Sequence, residues 1–353
     1  MSAPNFVKAG VLAIAIVISF IAAWEIYWRS KGFPVSYNDD ESLWCTVRKK
    51  VYKPIDQATV FIGSSRNKFD VDIATWEQQT GGDEVIQLSC VGTSPRPLLH
   101  DLANDKNFRG KLIIDVTEPI FFSRDKMRRE KSAVDRIKYY KDWTPAQKAS
   151  SVLNYPIESA FVFLDEDKFS LNAFLEDLEI PNRPGIFVFP RFPKEFGLSK
   201  ANRQDYMMER FEKDTELQRR QTNNWVKLGA LDKRPAISGD SLVMVFEELK
   251  KSIDKIRARG GQVIFLRTPS SGGYWETESV VYPREKYWDQ MLKYTNTQGI
   301  HFKNYPAIAN FICPEWSHLS SKDAVIFTRE LVRILREEKG WKFRNSNQEI
   351  AKF

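Results

Sequence analysis

Five short apolar runs limit what this chain can fold into more than any other feature. Lys111–Val116 reads KLIIDV and Gln262–Thr268 reads QVIFLRT, both apolar through their centres. A strand covered on one face alternates apolar and polar positions, whereas a continuous apolar run marks a strand covered on both. Thr59–Ile62, Glu84–Leu88 and Ile300–Lys303 are shorter runs of the same kind. Helical patterns lie among them. Asp240–Arg259 sets Leu242, Phe246, Leu249, Ile253 and Ile256 at alternating spacings of four and three, with Gly260 to end it. Glu285–Thr297 is helical in pattern as well. Strands alternating with helices predict a parallel α/β sheet in three layers with right-handed crossovers.

The remainder of the 353 residues is arranged around that series. Ala9–Trp24 carries no charge, and Trp24, Tyr27 and Trp28 follow as an interfacial aromatic belt. It reads as a membrane anchor over 1–30, with a cleaved signal peptide as the competing reading because Ala22-Ala23 is a passable cleavage site. Flanking charges, Lys8 against Arg29 and Lys31, leave the sidedness open. Residues 31–54 read as a polar connector and 55–353 as the main domain. Within that domain, residues 122–231 depart from the alternation. Helical patterns at Pro145–Phe163 and Lys200–Leu228 flank the Pro-rich Pro181–Pro193. Two readings stand for this stretch, a packed helical insertion or a lid and docking surface.

Charge and cysteine content narrow the function classes. Of the net charge of +7, Phe121–Lys141 supplies +5, with eight Lys/Arg against three Asp/Glu. No zinc-finger spacing or RNA-binding aromatic motif accompanies it, so no nucleic-acid partner is expected; anionic lipid or an acidic glycan suits a local basic patch. Cys45, Cys90 and Cys313 lack metal-type spacing. A Cys90–Cys313 bond is open to them, with separate buried thiols the simpler reading. HExxH, Walker and GxGxxG motifs are all missing, so no metal and no cofactor are expected.

The chemistry concentrates at strand ends. Gly63-Ser64-Ser65-Arg66 follows the first strand run, where a serine on a tight turn presents its hydroxyl at the sheet edge. Gly92, after the second run, offers a backbone N–H with no side chain in the way. Near the C-terminus Glu315-Trp316-Ser317-His318 sets a carboxylate three residues before a histidine, so that one turn lets the acid orient the imidazole. The helix that follows is capped by Ser320 or Ser321, with Asp323 in its first turn. A surface histidine beside a helix cap is the plain alternative. Arg66 and Arg267, at the ends of the first and fourth runs, are candidates for substrate contact. His100 and His301 lack neighbouring motifs and read as structural.

Over roughly Thr59–Val116 and Asp240–Glu338 the chain resembles the SGNH (GDSL-type) hydrolase superfamily. The resemblance rests on Gly63-x-Ser65 after the first strand, Gly92 after the second, and Glu315-x-x-His318, with Glu where Asp is usual. It implies a flavodoxin-like sheet, Ser65 as nucleophile, His318 as base and Glu315 as orienting acid, with Ser65 and Gly92 as oxyanion donors. The family's asparagine after the third strand is replaced here by Asp115-Val116-Thr117-Glu118, which leaves Thr117 as the substitute donor. With the anchor, the chain is similar to membrane-tethered members that serve O-acylation of cell-surface polymers, such as teichoic-acid D-alanyl transfer and exopolysaccharide acetylation proteins. The resemblance implies an extracytoplasmic domain, an acylated glycan or polymer substrate, and a multi-pass membrane acyltransferase as partner. The competing expectation is a non-catalytic subunit that uses the same fold to bind a glycan or hold the acyltransferase.

Overall fold

The computed structural model describes residues 6–178, 189–230 and 235–343. Two compact units divide the chain, Met1–Asn38 with Pro145–Phe189, and Asp39–Thr144 with Pro190–Phe353. Of the expected insertion over 122–231, the portion Pro145–Phe189 groups with the N-terminal helix and the remainder with the larger unit. Most of the Pro-rich stretch Pro181–Pro193 lies outside the described residues.

The larger unit is built on five parallel strands: β1 (Ala58–Ile62), β2 (Glu84–Gln87), β3 (Lys111–Asp115), β4 (Gln262–Arg267) and β5 (Gly299–His301). Their spatial order is β2-β1-β3-β4-β5, the doubly wound order in which the strand order reverses between β1 and β3 while all strands stay parallel. Alternate side chains explain why the strand sequences are apolar throughout. Val60, Ile86, Leu112, Ile114 and Phe265 join one core, which is closed by Leu98, Leu102, Leu242, Phe246, Leu249 and Ile253 from helices Arg96–Asn104 and Asp240–Arg257. Phe61, Val85, Ile113, Ile264, Leu266 and Ile300 join the other, against Ile73, Trp76, Phe327, Leu331 and Leu335 from helices Ile73–Thr80 and Ser321–Glu337. Both faces are covered, and the three layers follow.

Several expectations need correction. The polar connector holds a helix, Glu41–Arg48, with Asp40 accepting the Leu43 N–H at 2.7 Å, and a 3₁₀ turn, Lys49–Tyr52. Trp44, Cys45, Val47 and Val51 from this segment are buried in the first core. Its charges are used rather than solvated: Asp39 pairs with Lys68 and Arg203, and Arg48 with Asp101 and Asp105. The helix expected over Lys200–Leu228 is broken into a two-stranded hairpin (Leu198–Ser199 with Asp205–Tyr206) and helices Glu209–Lys213 and Thr215–Gly229, the last capped by Asp214. Glu285–Thr297 starts as a π turn over Glu285–Asp289 before Gln290–Thr295 becomes α-helical. The simpler expectation for Cys45, Cys90 and Cys313 holds: all three are separate buried thiols.

In the smaller unit the N-terminal helix runs Phe6–Ser30, 25 residues, long and apolar enough to cross a membrane. Near its C-terminal end the Glu25 carboxylate accepts the N–H groups of Val162 at 2.9 Å and Phe163 at 3.3 Å. Trp28 packs on Phe169 with ring centres 4.4 Å apart, and Trp24 on Phe174 at 5.8 Å.

Candidate active site

β1 ends against β3 so closely that the residue after it has room for no side chain. A Cβ built on Gly63 stands 2.6 Å from the Asp115 Cβ, well inside contact distance. The chain then turns at Ser64 and enters the short helix Ser65–Asp70. From Ala58 to Val71 every residue is buried except Ser65, which alone is partly exposed. Ser64 faces inward, its hydroxyl 2.8 Å from that of Thr117.

His318 arrives from the loop after β5, held by the turn that precedes helix Ser321–Glu337. Ser320 caps that helix by accepting the Asp323 N–H at 3.1 Å, and its hydroxyl donates to the Asp323 carboxylate at 2.8 Å. The turn forces Trp316 to φ +77, a left-handed conformation that costs a bulky residue on the order of 1–3 kcal/mol. Within it the Glu315 Oε1 accepts both the backbone N–H of His318 at 2.7 Å and its Nδ1–H at 2.9 Å. Because Nδ1 faces a carboxylate, it carries the proton, and Nε2 is left to accept from the Ser65 hydroxyl at 2.9 Å. Glu315, His318 and Ser65 thus form one hydrogen-bonded line. It stands at the carboxyl ends of the strands beside the β1/β3 reversal, where open α/β sheets bind ligands.

Three aromatic side chains that the sequence did not single out enclose the imidazole. Phe69 lies 4.4 Å from His318 between ring centres, Phe196 5.6 Å and Trp225 6.2 Å. Trp225, on helix Thr215–Gly229, also donates its indole N–H to the Glu315 Oε2. Nothing in TELQRRQTNNWVKLG distinguishes this tryptophan from a packing residue, since its partner lies ninety positions away.

Arg66 and Arg267, expected to face substrate, are instead buried in ion pairs. Arg66 is 2% exposed and gives its guanidinium to Glu278 at 2.5 and 3.3 Å and to the Ser317 hydroxyl at 3.1 Å. Arg267, fully buried, spans Glu118 at 2.9 Å and Glu278 at 2.6 Å. Against the burial that opposes its charge, the two guanidiniums hold the Glu278 carboxyl down to about 2. This buried network ties the Ser65 helix, through Arg66 and Ser317, to the histidine turn.

Thr117 is likewise committed elsewhere. Its hydroxyl donates to the Asp115 carboxylate at 3.2 Å and accepts from Ser64, so it has no proton to offer an oxyanion. Burial raises the Asp115 carboxyl to about 6, and raises that of Asp70, which accepts the Leu319 N–H at 2.9 Å, well above the usual range. Gly92 adopts φ +62 after β2, and a Cβ placed there meets nothing within 4 Å, so it borders open space. The Ser65 N–H, at the first position of a helix, is one of those that a helix leaves without an internal acceptor. His301 is buried between aromatic rings. Among the described residues no group of three or more His, Cys, Asp or Glu is placed to hold a metal ion.

No family model matches the chain, and no curated protein matches it in sequence.

Proposed function

We propose that this chain is a membrane-anchored serine acyl-esterase or O-acyltransferase of the SGNH kind, acting on an acylated cell-surface glycan or polymer outside the cytoplasm. One observation carries the reading: the hydrogen-bonded line Glu315–His318–Ser65 ends on the single partly exposed residue of its strand-to-helix turn. In this reading the Ser65 Oγ attacks an ester carbonyl and passes its proton to the His318 Nε2. Glu315 holds the imidazolium that forms. The Ser65 and Gly92 N–H groups receive the developing oxyanion. His318 then protonates the leaving alcohol, and the acyl-serine is resolved by water or by a glycan hydroxyl activated at the same imidazole. With water the product is a free acid; with a glycan hydroxyl the acyl group is transferred.

A serine-directed fluorophosphonate tests this on the intact protein. Labelling of the wild type at Ser65, lost in Ser65→Ala, is the expected result. A second reading, a non-catalytic partner of a multi-pass membrane acyltransferase, is favoured by the position after β3, where Thr117 has no free proton for an oxyanion. Absence of labelling, with polymer acylation undiminished in Ser65→Ala, would move the chemistry to that partner.

A further inference from the structure

We infer that the segment 145–178 forms a second membrane contact, with helices Pro145–Glu158 and Leu171–Asp177 lying in the bilayer interface and their apolar faces among lipid acyl chains. The inference rests on the N-terminal span and not on the chemistry proposed for Ser65.

Helix Pro145–Glu158 has no buried residue along its 14 positions. Its apolar residues Ala149, Val152, Leu153, Pro156 and Ile157 fall at i, i+3, i+4, i+7 and i+8, a single face. Val152 is 71% exposed and Leu153 67%. Its three partly covered residues are Gln147, Ser151 and Glu158, on the opposite face. The side turned toward protein holds these polar residues and Tyr155, which stacks on Tyr37 at 5.6 Å, and the side turned away is apolar, the reverse of a helix that faces water. Leu171–Asp177 turns Ala173 and Phe174 toward protein, while Leu171, Leu175 and the following Leu178 stand exposed at i, i+4 and i+7.

The depth of this segment follows from what it touches. From Phe6 to Trp24 the N-terminal helix rises about 27 Å, close to the hydrocarbon thickness of a bilayer. Trp24, Tyr27 and Trp28 then mark the interface. Phe174 and Phe169 pack on Trp24 and Trp28, and Val162 is bonded to Glu25, so the segment is held at that level. A helix with nothing buried gains little in water. At the interface the same face is covered by lipid. The charged residues of the two helices are Lys148, Glu158, Glu176 and Asp177, so apolar area rather than attraction to anionic headgroups provides the contact.

Nitroxide labels on Leu153→Cys, Ile157→Cys and Leu175→Cys test the placement in the full-length chain, reconstituted in phosphatidylcholine vesicles. Native cysteines do not interfere, because all three are buried. Asn154→Cys, on the polar side of the same helix, is the reference. The expected result is a ratio of oxygen to aqueous nickel-chelate collision severalfold higher at the three apolar positions than at 154. Equal ratios would put the face in water. Low collision with both reagents, with dipolar broadening between labels, would mean that a second copy covers it. Either result overturns the inference.

Discussion

Glu315 receives three hydrogen bonds and donates none: two from His318 at Oε1 and one from Trp225 at Oε2. Ser65→Ala and His318→Ala are expected to abolish fluorophosphonate labelling, and Ser64→Ala to leave it nearly intact, since Ser64 faces Thr117. Glu315→Gln should retain about two orders of magnitude more turnover than Ser65→Ala, as for the acid of other triads. Its amide must keep oxygen toward His318, which points its NH₂ at the indole N–H, donor against donor. Trp225→Phe added to Glu315→Gln should therefore recover part of the labelling rate. Purely additive losses would show that this bond does not hold the acid. Asp115 gives a pH signature. Its pKa rises from the ordinary 3.8 to about 6, so its contribution to stability is complete below about pH 4 and is lost as pH rises through about 6. Asp115→Asn, which keeps an acceptor for Thr268, should be more stable than wild type at pH 8 by up to about 3 kcal/mol. The gain should vanish below about pH 4 in denaturant unfolding.

The Glu315–His318 turn depends on its neighbours as an element. A Cβ on Gly272 would stand 2.5 Å from the Trp316 Cδ1, and Gly272 itself has φ +50. Gly272→Ala must displace the indole and with it the turn, at a cost of about 1–3 kcal/mol. A fall in labelling rate together with the melting midpoint is the expected outcome, whereas an unchanged rate would separate the turn from the Trp316 packing. The buried Arg66–Glu278–Arg267–Glu118 network behaves as a structural unit. Arg267→Met leaves Glu118 without its buried partner and Glu278 with Arg66 alone, and should cost about 3–5 kcal/mol in unfolding free energy. A substrate-binding arginine would instead raise KM and leave stability unchanged. Strands and the principal helices were legible because their apolar spacing survives in one dimension. Glu41–Arg48 was not, since its short apolar set Leu43, Trp44, Cys45 and Val47 is bracketed by the charged runs Asp39–Glu41 and Arg48–Lys50, and the partners of Asp39 and Arg48 lie far along the chain.

For the whole molecule, the N-terminal helix is long and apolar enough to cross a membrane, and anchoring with the domain on the extracytoplasmic side is the proposal. A reporter active only outside the cytoplasm, fused after Phe353, should be active in the intact chain. Activity of a cytoplasmic reporter at the same position would reverse the placement and exclude an envelope polymer as substrate. Residues 122–231 were read as one insertion, yet they divide between the two units. Charged helical patterns look alike whether they cover a sheet or pack beside a membrane helix, because a local pattern records which face is apolar and not what meets it.

By itself the sequence determined the parallel α/β architecture, the membrane-length helix and the candidates Ser65, Glu315 and His318. Those features rest on local periodicity, on turn chemistry, and on motifs whose members are at most three residues apart. Tertiary structure alone decided that Ser65 rather than Ser64 reaches the surface, that Arg66 and Arg267 are spent on Glu278 and Glu118, and that Trp225 holds the acid. Each of these depends on contacts between residues far apart in the chain, 251 positions in the case of Arg66 and Ser317. A charge or an indole ring looks the same in sequence whether it meets water, substrate or a buried partner, and only the fold supplies the partner.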